Sequence, residues 1–230
     1  MRYLPLFVAP LLSVTVQAAV FNITGNSNDQ LAQSNGVSPW IGQPAARVGG
    51  SSTDIDGALV MFFQLPDLGG ESVTSATLSI YLNSIANNAT FNVDLYGMGY
   101  TATASIDAVN DFFGGPYDTD LSAGVTALQD DLLASGTGVA QYYTSINIAS
   151  YITEQYENGA VAGDFVKLRL SPDVADSSNY RYYEVATAND GANPPMLDIV
   201  TGTVPEPSAY ALSAGALVLG LAFVMRRWQW

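Results

Sequence analysis

Two pairs of aspartates, each pair separated by one residue, are the first feature of this sequence that could do chemistry. Asp54 and Asp56 lie in a stretch rich in serine, threonine and glycine, and Asp118 and Asp120 lie in a second loop-like stretch. Carboxylates at this spacing in a turn can both reach one ion, and calcium prefers such hard oxygen ligands. The pattern predicts a structural calcium ion. The alternative is a set of ordinary solvated aspartates, which turns favour in any case.

Adjacent tyrosines form the second candidate site. Tyr142 is followed by Tyr143, and Tyr182 by Tyr183, in segments of strand-like composition. Neighbouring residues of a strand point to opposite faces, so one member of each pair is expected to face solvent. Exposed tyrosines can stack on sugar rings, which makes these four residues candidate carbohydrate contacts. The alternative is that they fill the edge of the core, because tyrosine is common in strands.

Two absent residue types exclude several kinds of catalysis. The chain contains no histidine and no cysteine, which excludes Ser-His-Asp and Cys-His arrangements and zinc bound by histidine. A glycosidase would need two carboxylates roughly 5–10 Å apart, and no acid of this chain lies in a catalytic signature. We therefore expect a protein that is not an enzyme, with a glycan-active hydrolase as an alternative.

The charge balance narrows the choice of partners. Seven Lys and Arg face 21 Asp and Glu, for a formal net charge of −14. Between the two ends of the chain only Arg47, Lys167, Arg169 and Arg181 are basic. Nucleic-acid binding is not expected, because phosphate contacts need clustered Lys and Arg. Such acidity suits divalent cations or a neutral partner.

Hydrophobic periodicity predicts strands through most of the body. Glycine, asparagine, aspartate and proline separate the strand-like segments, as turns require. Many short strands in roughly 185 residues favour one all-β domain over residues 19–203, an antiparallel β-sandwich with the jelly roll as the favoured form. The predicted strands are Ala58–Leu65, Val73–Ile85, Ala89–Met98, Val139–Tyr143, Phe165–Leu170, Tyr180–Val185 and Met196–Thr201.

A first short helix is expected in the middle of the body. Thr126 and Gln129 have the spacing of a capping box, which predicts a helix over Ala127–Ala134. Asp130 and Asp131 would then lie on the surface of that helix and are weak metal candidates.

A second short helix is predicted over Ala149–Tyr156, where Asn147 can cap its start and Gly159 can end it. The stretch Thr101–Gly124 has the least regular pattern and predicts a long loop. Asp29 is a further weak metal candidate.

The N-terminus has the composition of a secretory signal peptide. Residues 1–18 contain one arginine, an apolar run and small residues before Ala18. This order predicts export with cleavage after Ala18. A retained N-terminal anchor is the alternative.

The C-terminus combines a short motif, an apolar run and a basic end. Ala209–Met225 is about 17 residues long, at the lower limit for a transmembrane helix, and the arginines after it predict a cytoplasmic C-terminus. A buried core helix is the alternative. The motif residues around the apolar run are Val204, Pro205, Glu206, Pro207, Arg226 and Arg227. With them the tail resembles the PEP-CTERM sorting signal, a family of Gram-negative bacteria that secrete exopolysaccharide. The resemblance implies recognition and cleavage by an exosortase, and delivery from a transient inner-membrane tail to the cell surface or extracellular matrix.

Four short segments of the body, beginning at Arg47, Val73, Ile146 and Asn193, match the pattern of a known family. They resemble the DNRLRE family of secreted jelly-roll domains, which are related to carbohydrate-binding modules, whereas the middle segment 101–139 departs from it. The resemblance implies a jelly roll that binds exopolysaccharide or other matrix components. Related jelly rolls often carry a structural calcium, and Asp198 in the closing strand could join Asp54 and Asp56 in such a site. A structural matrix protein without a small ligand is the alternative.

Overall fold

The apolar and polar alternation of the sequence becomes a set of antiparallel strands. The computed structural model describes residues 18–36, 42–52, 55–107, 110–174 and 180–202, and it contains eleven strands and one helix within them. The helix, α1, spans Ala149–Glu157. The strands are β1 (Val20–Thr24), β2 (Gln30–Gln33), β3 (Ala45–Ser52), β4 (Ile55–Gln64), β5 (Ser72–Ala86), β6 (Val93–Thr101), β7 (Thr126–Leu133), β8 (Gln141–Thr144), β9 (Phe165–Pro172), β10 (Tyr182–Ala186) and β11 (Met196–Gly202).

The strands form one curled sheet. Their order is β1-β11-β5-β10-β3-β4-β9-β6-β7, with β2 also paired to β4 and β8 also paired to β5, and all these pairings are antiparallel. Ile199 of β11, Leu82 of β5, Leu59 of β4 and Leu95 of β6 all belong to one hydrophobic core. A flat sheet could not bring strands this far apart into one cluster, so the sheet wraps around its own apolar face. The predicted all-β, antiparallel class is confirmed.

The continuous apolar run of β4 is explained by burial on both of its faces. Met61 and Phe63 point into the main core, whereas Val60 and Phe62 belong to a second, smaller core on the outer face. The partly buried side chains that complete this second core are Met98, Ala104, Ile106, Phe112 and Phe165. Several of them come from the predicted long loop, which has no helix or strand in its described residues beyond Thr101. The loop is therefore a cover for the sheet.

Most predicted strands are confirmed, with shifts at their ends. The strand predicted over Ala89–Met98 begins at Val93 instead, because Asn87 and Asn88 form a turn with positive φ of 50° and 52°. Strands β1 and β2 were not predicted from the sequence. Both are short, and β1 pairs only at the edge of the sheet with β11.

The predicted helix over Ala127–Ala134 is wrong. These residues form strand β7, which pairs with β6. Gln129 does not complete a capping box: its Oε1 accepts a hydrogen bond of 2.8 Å from the N–H of Ile146. Helix propensities differ by only a few tenths of a kcal/mol per residue for most residue types, so pairing with a neighbouring strand overrides them.

The second predicted helix is confirmed as α1. The Oδ1 atom of Asn147 accepts a hydrogen bond from the N–H of Ala149 at 3.0 Å and another from the N–H of Ala76 at 2.9 Å. One face of this helix packs on the main core, where Ile152 is fully buried. Gly159, with φ of 106°, follows its end.

The two terminal predictions lie outside the described residues. These are the signal peptide up to residue 17 and the tail from 203 onward, including the apolar segment 209–225 and the motif residues around it. Within the part of the chain that the structure describes, no helix is both long enough and apolar enough to cross a membrane.

Candidate functional site

The two tyrosine pairs follow the predicted alternation. In β8, Tyr142 is 39 % exposed, while the hydroxyl of half-buried Tyr143 donates to the carbonyl of Gly138 at 2.7 Å. In β10, Tyr182 is half-buried and Tyr183 is fully buried. The hydroxyl of Tyr183 donates inward to a backbone carbonyl at 2.8 Å. Tyr183 is therefore a core residue, and its prediction as a sugar contact does not fit this burial.

Tyr142 lies in a small aromatic and acidic patch, which we name the Tyr142 patch and define as Tyr142, Tyr81 and Asp190. The rings of Tyr81 and Tyr142 meet edge to face, with centroids 5.1 Å apart and planes at 70°. Partial burial, and then the negative charge of Asp190, raise the pKa of Tyr142. The patch thus joins an exposed aromatic ring to a nearby carboxylate.

Tyr182 lies elsewhere on the sheet. The guanidinium of Arg47 sits 4.6 Å from its ring centre. Along β5, Tyr142 is opposite Tyr81, while Tyr182 is opposite Ala86. Five residues of extended strand separate these positions, roughly 16 Å. The predicted tyrosines therefore do not form one continuous surface.

The predicted calcium ligands are not gathered into a site in the described residues. Asp56 is 5 % exposed on β4, and its backbone bonds to Ser34. Asp198 lies on β11, opposite Thr77 of β5. Three strands separate β11 from β4 in the sheet order, and the pair is not among the carboxylates whose oxygens converge. Asp54 lies outside the described residues.

The second predicted aspartate pair is divided between two environments. Asp118 is exposed in the long loop, with φ of 60°. The side chain of Asp120 is only 2 % exposed and forms an ion pair of 2.5 Å with Arg169, whose side chain is fully buried. Burial alone would raise the pKa of Asp120, but hydrogen bonds from Arg169 and Ser122 bring it below its ordinary value. Asp120 is therefore neutralised by the chain itself.

Arg169 organises the loop above the outer face of the sheet. Its Nε donates to Ser171 at 2.7 Å, and its Nη1 donates to the carbonyl of Asp111 at 3.2 Å. Its guanidinium lies 4.9 Å from the ring centre of Tyr96, the residue opposite it on β6. We name Arg169 and its contacts Ser171, Asp111, Tyr96 and Asp120 the Arg169 centre. The same loop is also held by a 2.5 Å ion pair between Lys167 and Asp111.

A second acidic group lies where β6 meets β7. The sequence offered Asp130 and Asp131 as weak metal candidates, but it did not predict that they approach Asp94. Val93 pairs with Leu133 and Leu95 with Gln129, so three residues of β7 face the single residue Asp94. Such a bulge redirects side chains. It brings one ligand oxygen from each of Asp94, Asp130 and Asp131 to within 4.8 Å of one another. We name these three residues the bulge aspartates.

Asp94 is the buried member of the bulge aspartates. It is 0 % exposed, and its Oδ1 accepts a hydrogen bond of 3.0 Å from the N–H of Asp131. Its Oδ2 is inaccessible and has no hydrogen-bond partner among the described residues. Burial first, and then the charges of Asp173, Asp130 and Asp131, together raise the pKa of Asp94 to about 7, even though the hydrogen bond from Asp131 lowers it.

The wrong helix prediction is the reason that the bulge aspartates were not predicted as a group. On a helix, Asp130 and Asp131 would have pointed to solvent; on the bulged strand both remain exposed but approach Asp94. Asp131 adopts φ of 53°, a conformation that aspartate tolerates better than most residues. The sequence did contain one signal for this strand: the acids Asp130 and Asp131 come directly before the apolar pair Leu132 and Leu133. Two acids beside a buried apolar pair also fit a bulged edge strand.

An open groove of about 490 Å³ lies between the end of β6, β9 and the long loop. Met98 and Phe112 supply apolar surface, while Asn110 and Lys167 supply polar atoms. Its one lining carboxylate, Asp111, is paired with Lys167. The groove therefore does not present two free acids.

No family model and no curated protein matches this chain.

Proposed function

We propose that this chain is an exported, non-enzymatic protein of the cell surface or extracellular matrix that associates with exopolysaccharide. The signal-like N-terminus and the PEP-CTERM-like tail support export and exosortase processing. The sorting residues are Val204, Pro205, Glu206, Pro207, Arg226 and Arg227. A formal net charge of −14 favours a neutral polymer over nucleic acid as the partner.

We further propose that the all-β fold is a jelly-roll β-sandwich. The curled antiparallel sheet and the core shared by strands from both of its halves support two facing layers. The long loop and α1 pack on different strands: the loop packs on β4 and β9, and the helix contacts β5.

The observation that carries the proposal is the Tyr142 patch. Tyr142 is 39 % exposed and rests against Tyr81 at 5.1 Å, with Asp190 close enough to affect its pKa. An exposed ring can cover the apolar face of a sugar, while a carboxylate accepts hydrogen bonds from sugar hydroxyls. Among the four predicted tyrosines, Tyr142 has the most accessible ring.

The test is co-sedimentation of the purified full chain with exopolysaccharide from the producing bacterium. We expect Tyr142→Ala to weaken binding by about tenfold, because an aromatic contact contributes on the order of 1 kcal/mol beyond its buried area. Tyr142→Phe, which keeps the ring, should retain most of the binding. Tyr180→Ala is the matched control, since Tyr180 is 50 % exposed but lies outside the patch.

The outcomes separate the alternatives. Equal binding by Tyr142→Ala and Tyr180→Ala would remove the patch from the proposal. Absence of binding by the unmodified chain would leave a structural matrix protein without a glycan ligand. Release of reducing sugar, lost on replacing one carboxylate, would instead indicate a hydrolase. The raised pKa of Asp94 would suit a general acid. Asp94 is buried, however, so a substrate could not reach it, and this argues against a hydrolase.

A further inference from the structure

The bulge aspartates combine converging carboxylates with an unpaired buried oxygen. Asp94 comes from β6, and Asp130 and Asp131 come from the bulge of β7. Their ligand oxygens lie within 4.8 Å of one another. Two oxygens on opposite sides of a calcium ion are about 5 Å apart, because each lies 2.3–2.6 Å from it. The spacing therefore fits a single calcium coordination shell.

The second observation is the Oδ2 atom of Asp94. Buried carboxylate oxygens normally accept hydrogen bonds, and leaving one without a partner is costly. Asp94 is 0 % exposed, its Oδ1 is bonded to the N–H of Asp131, and its Oδ2 has no partner among the described residues. An ion at the bulge would supply the missing partner.

The negative charge around the bulge is larger than that of the three bulge aspartates alone. Asp173 follows β9, and its N–H donates to the carbonyl of Asn92 at 2.9 Å, next to the start of β6. The charges of Asp130 and Asp131 contribute, after burial, to the raised pKa of Asp173. The two cations nearest in the sheet, Lys167 and Arg169, are engaged by Asp111 and Asp120.

We propose that Asp94, Asp130 and Asp131 bind one calcium ion, with water completing its shell on the exposed side. Calcium fits better than magnesium, because magnesium requires shorter bonds of 2.0–2.1 Å and a near-ideal octahedron. The site differs from the one predicted at Asp54, Asp56 and Asp198, and it does not depend on polysaccharide binding. Its role is to join β6 to β7 across the irregular part of their pairing.

The test is calorimetric titration of the purified, chelator-treated full chain with calcium chloride, alongside thermal unfolding. We expect one site and, at a calcium concentration of about 100 times Kd, a melting temperature raised by about 5 to 10 °C. Magnesium chloride at the same ionic strength should raise it much less. Asp94→Asn should weaken calcium binding by about tenfold or more, because it removes a charged ligand, while its Oδ1 can still accept the N–H of Asp131.

Asp118→Asn is the matched control, because Asp118 is also an exposed aspartate with positive φ. It should bind calcium as the unmodified chain does. The double variant Asp130→Asn/Asp131→Asn should lose binding without loss of a buried group. The proposal is overturned by the absence of a calcium isotherm, by equal stabilisation with magnesium, or by full calcium binding in Asp94→Asn. Loss of binding in Asp118→Asn would also overturn it and would place the ion in the long loop.

Discussion

The Arg169 centre and the bulge aspartates lie on the same outer face of β6 and β9, but they hold buried negative charge in different ways. Arg169 is opposite Tyr96, and Ser171 is opposite Asp94, in the same register. At the Arg169 centre, Asp120 has a guanidinium 2.5 Å away. At the bulge, Asp94 receives one backbone hydrogen bond and has a second oxygen with no partner among the described residues. The first group is internally neutral, whereas the second concentrates negative charge.

Tyr96 connects the two groups. Its ring contacts the guanidinium of Arg169, while burial, and then the charge of Asp94, raise the pKa of its hydroxyl. A fold with few cations can neutralise only some of its buried acids. The remaining acid then indicates where an external cation would be most favourable.

Asp29 shows a third arrangement. It is 0 % exposed, and its carboxylate accepts the N–H of Phe62 at 3.0 Å and the N–H of Ala188 at 3.2 Å. Backbone donors partly compensate for burial, yet burial still raises the pKa of Asp29 to about 8. It joins the turn before β2 to β4 and to the turn after β10, as a structural group.

The largest expected effect is from removal of the cation at the Arg169 centre. Arg169→Met should lower the free energy of unfolding by about 3 to 5 kcal/mol, because Asp120 would remain buried without its partner. Urea denaturation measures this change. Arg181→Met, at an exposed arginine, should change stability by less than about 0.5 kcal/mol. Similar values for the two variants would show that the buried pair is not what stabilises the loop.

The next effect concerns the pH dependence of stability through Asp29. Its pKa is about 8 in the folded state, against an ordinary value of 3.8. Between these values only the folded state holds the proton, so the free energy of unfolding decreases as pH rises from about 4 to about 8. The unmodified chain should lose roughly 3 to 4 kcal/mol more than Asp29→Asn between pH 5 and pH 8. Parallel stability curves for the two proteins would contradict this assignment.

The smallest effect tests the uncompensated charge at the bulge. Without calcium at pH 8, Asp94→Asn should raise the free energy of unfolding by on the order of 1 kcal/mol, because it removes repulsion among close carboxylates. Asp120→Asn should lower it, since Arg169 would lose its anion. Thermal unfolding in chelator compares the two variants. If Asp94→Asn also destabilises the chain, the bulge is held together by contacts other than those described above.

The difference between α1 and β7 shows where prediction from sequence works. Asn147 and Gly159 are local signals, and each acts on the helix next to it, so α1 was predicted within one residue at its end. Thr126 and Gln129 have an equally local signal, but β7 is decided by its pairing with β6. Local propensity is too weak to predict structure where the partner strand is distant in sequence.

The candidate sites show the same difference between local features, which were predicted, and contacts with distant residues, which were not. The alternation of Tyr142 with Tyr143, and of Tyr182 with Tyr183, follows from strand geometry alone and was predicted. The neighbours of each ring were not, because Tyr81 and Asp190 reach Tyr142 through sheet pairing and loop position. In the same way, spacing in the sequence selected Asp118 and Asp120 as partners, and the structure assigns Asp120 to Arg169.

The sequence by itself determined that this is an acidic, strand-rich chain without histidine or cysteine. These properties depend on composition and on periodicity within a segment, which no distant residue can alter. Only the tertiary structure decided which of the aspartates are buried, which have a cation and which converge. The physical reason is that burial and charge separation depend on contacts between strands, and the bulge between β6 and β7 joins Asp94 to residues 36 and 37 positions away.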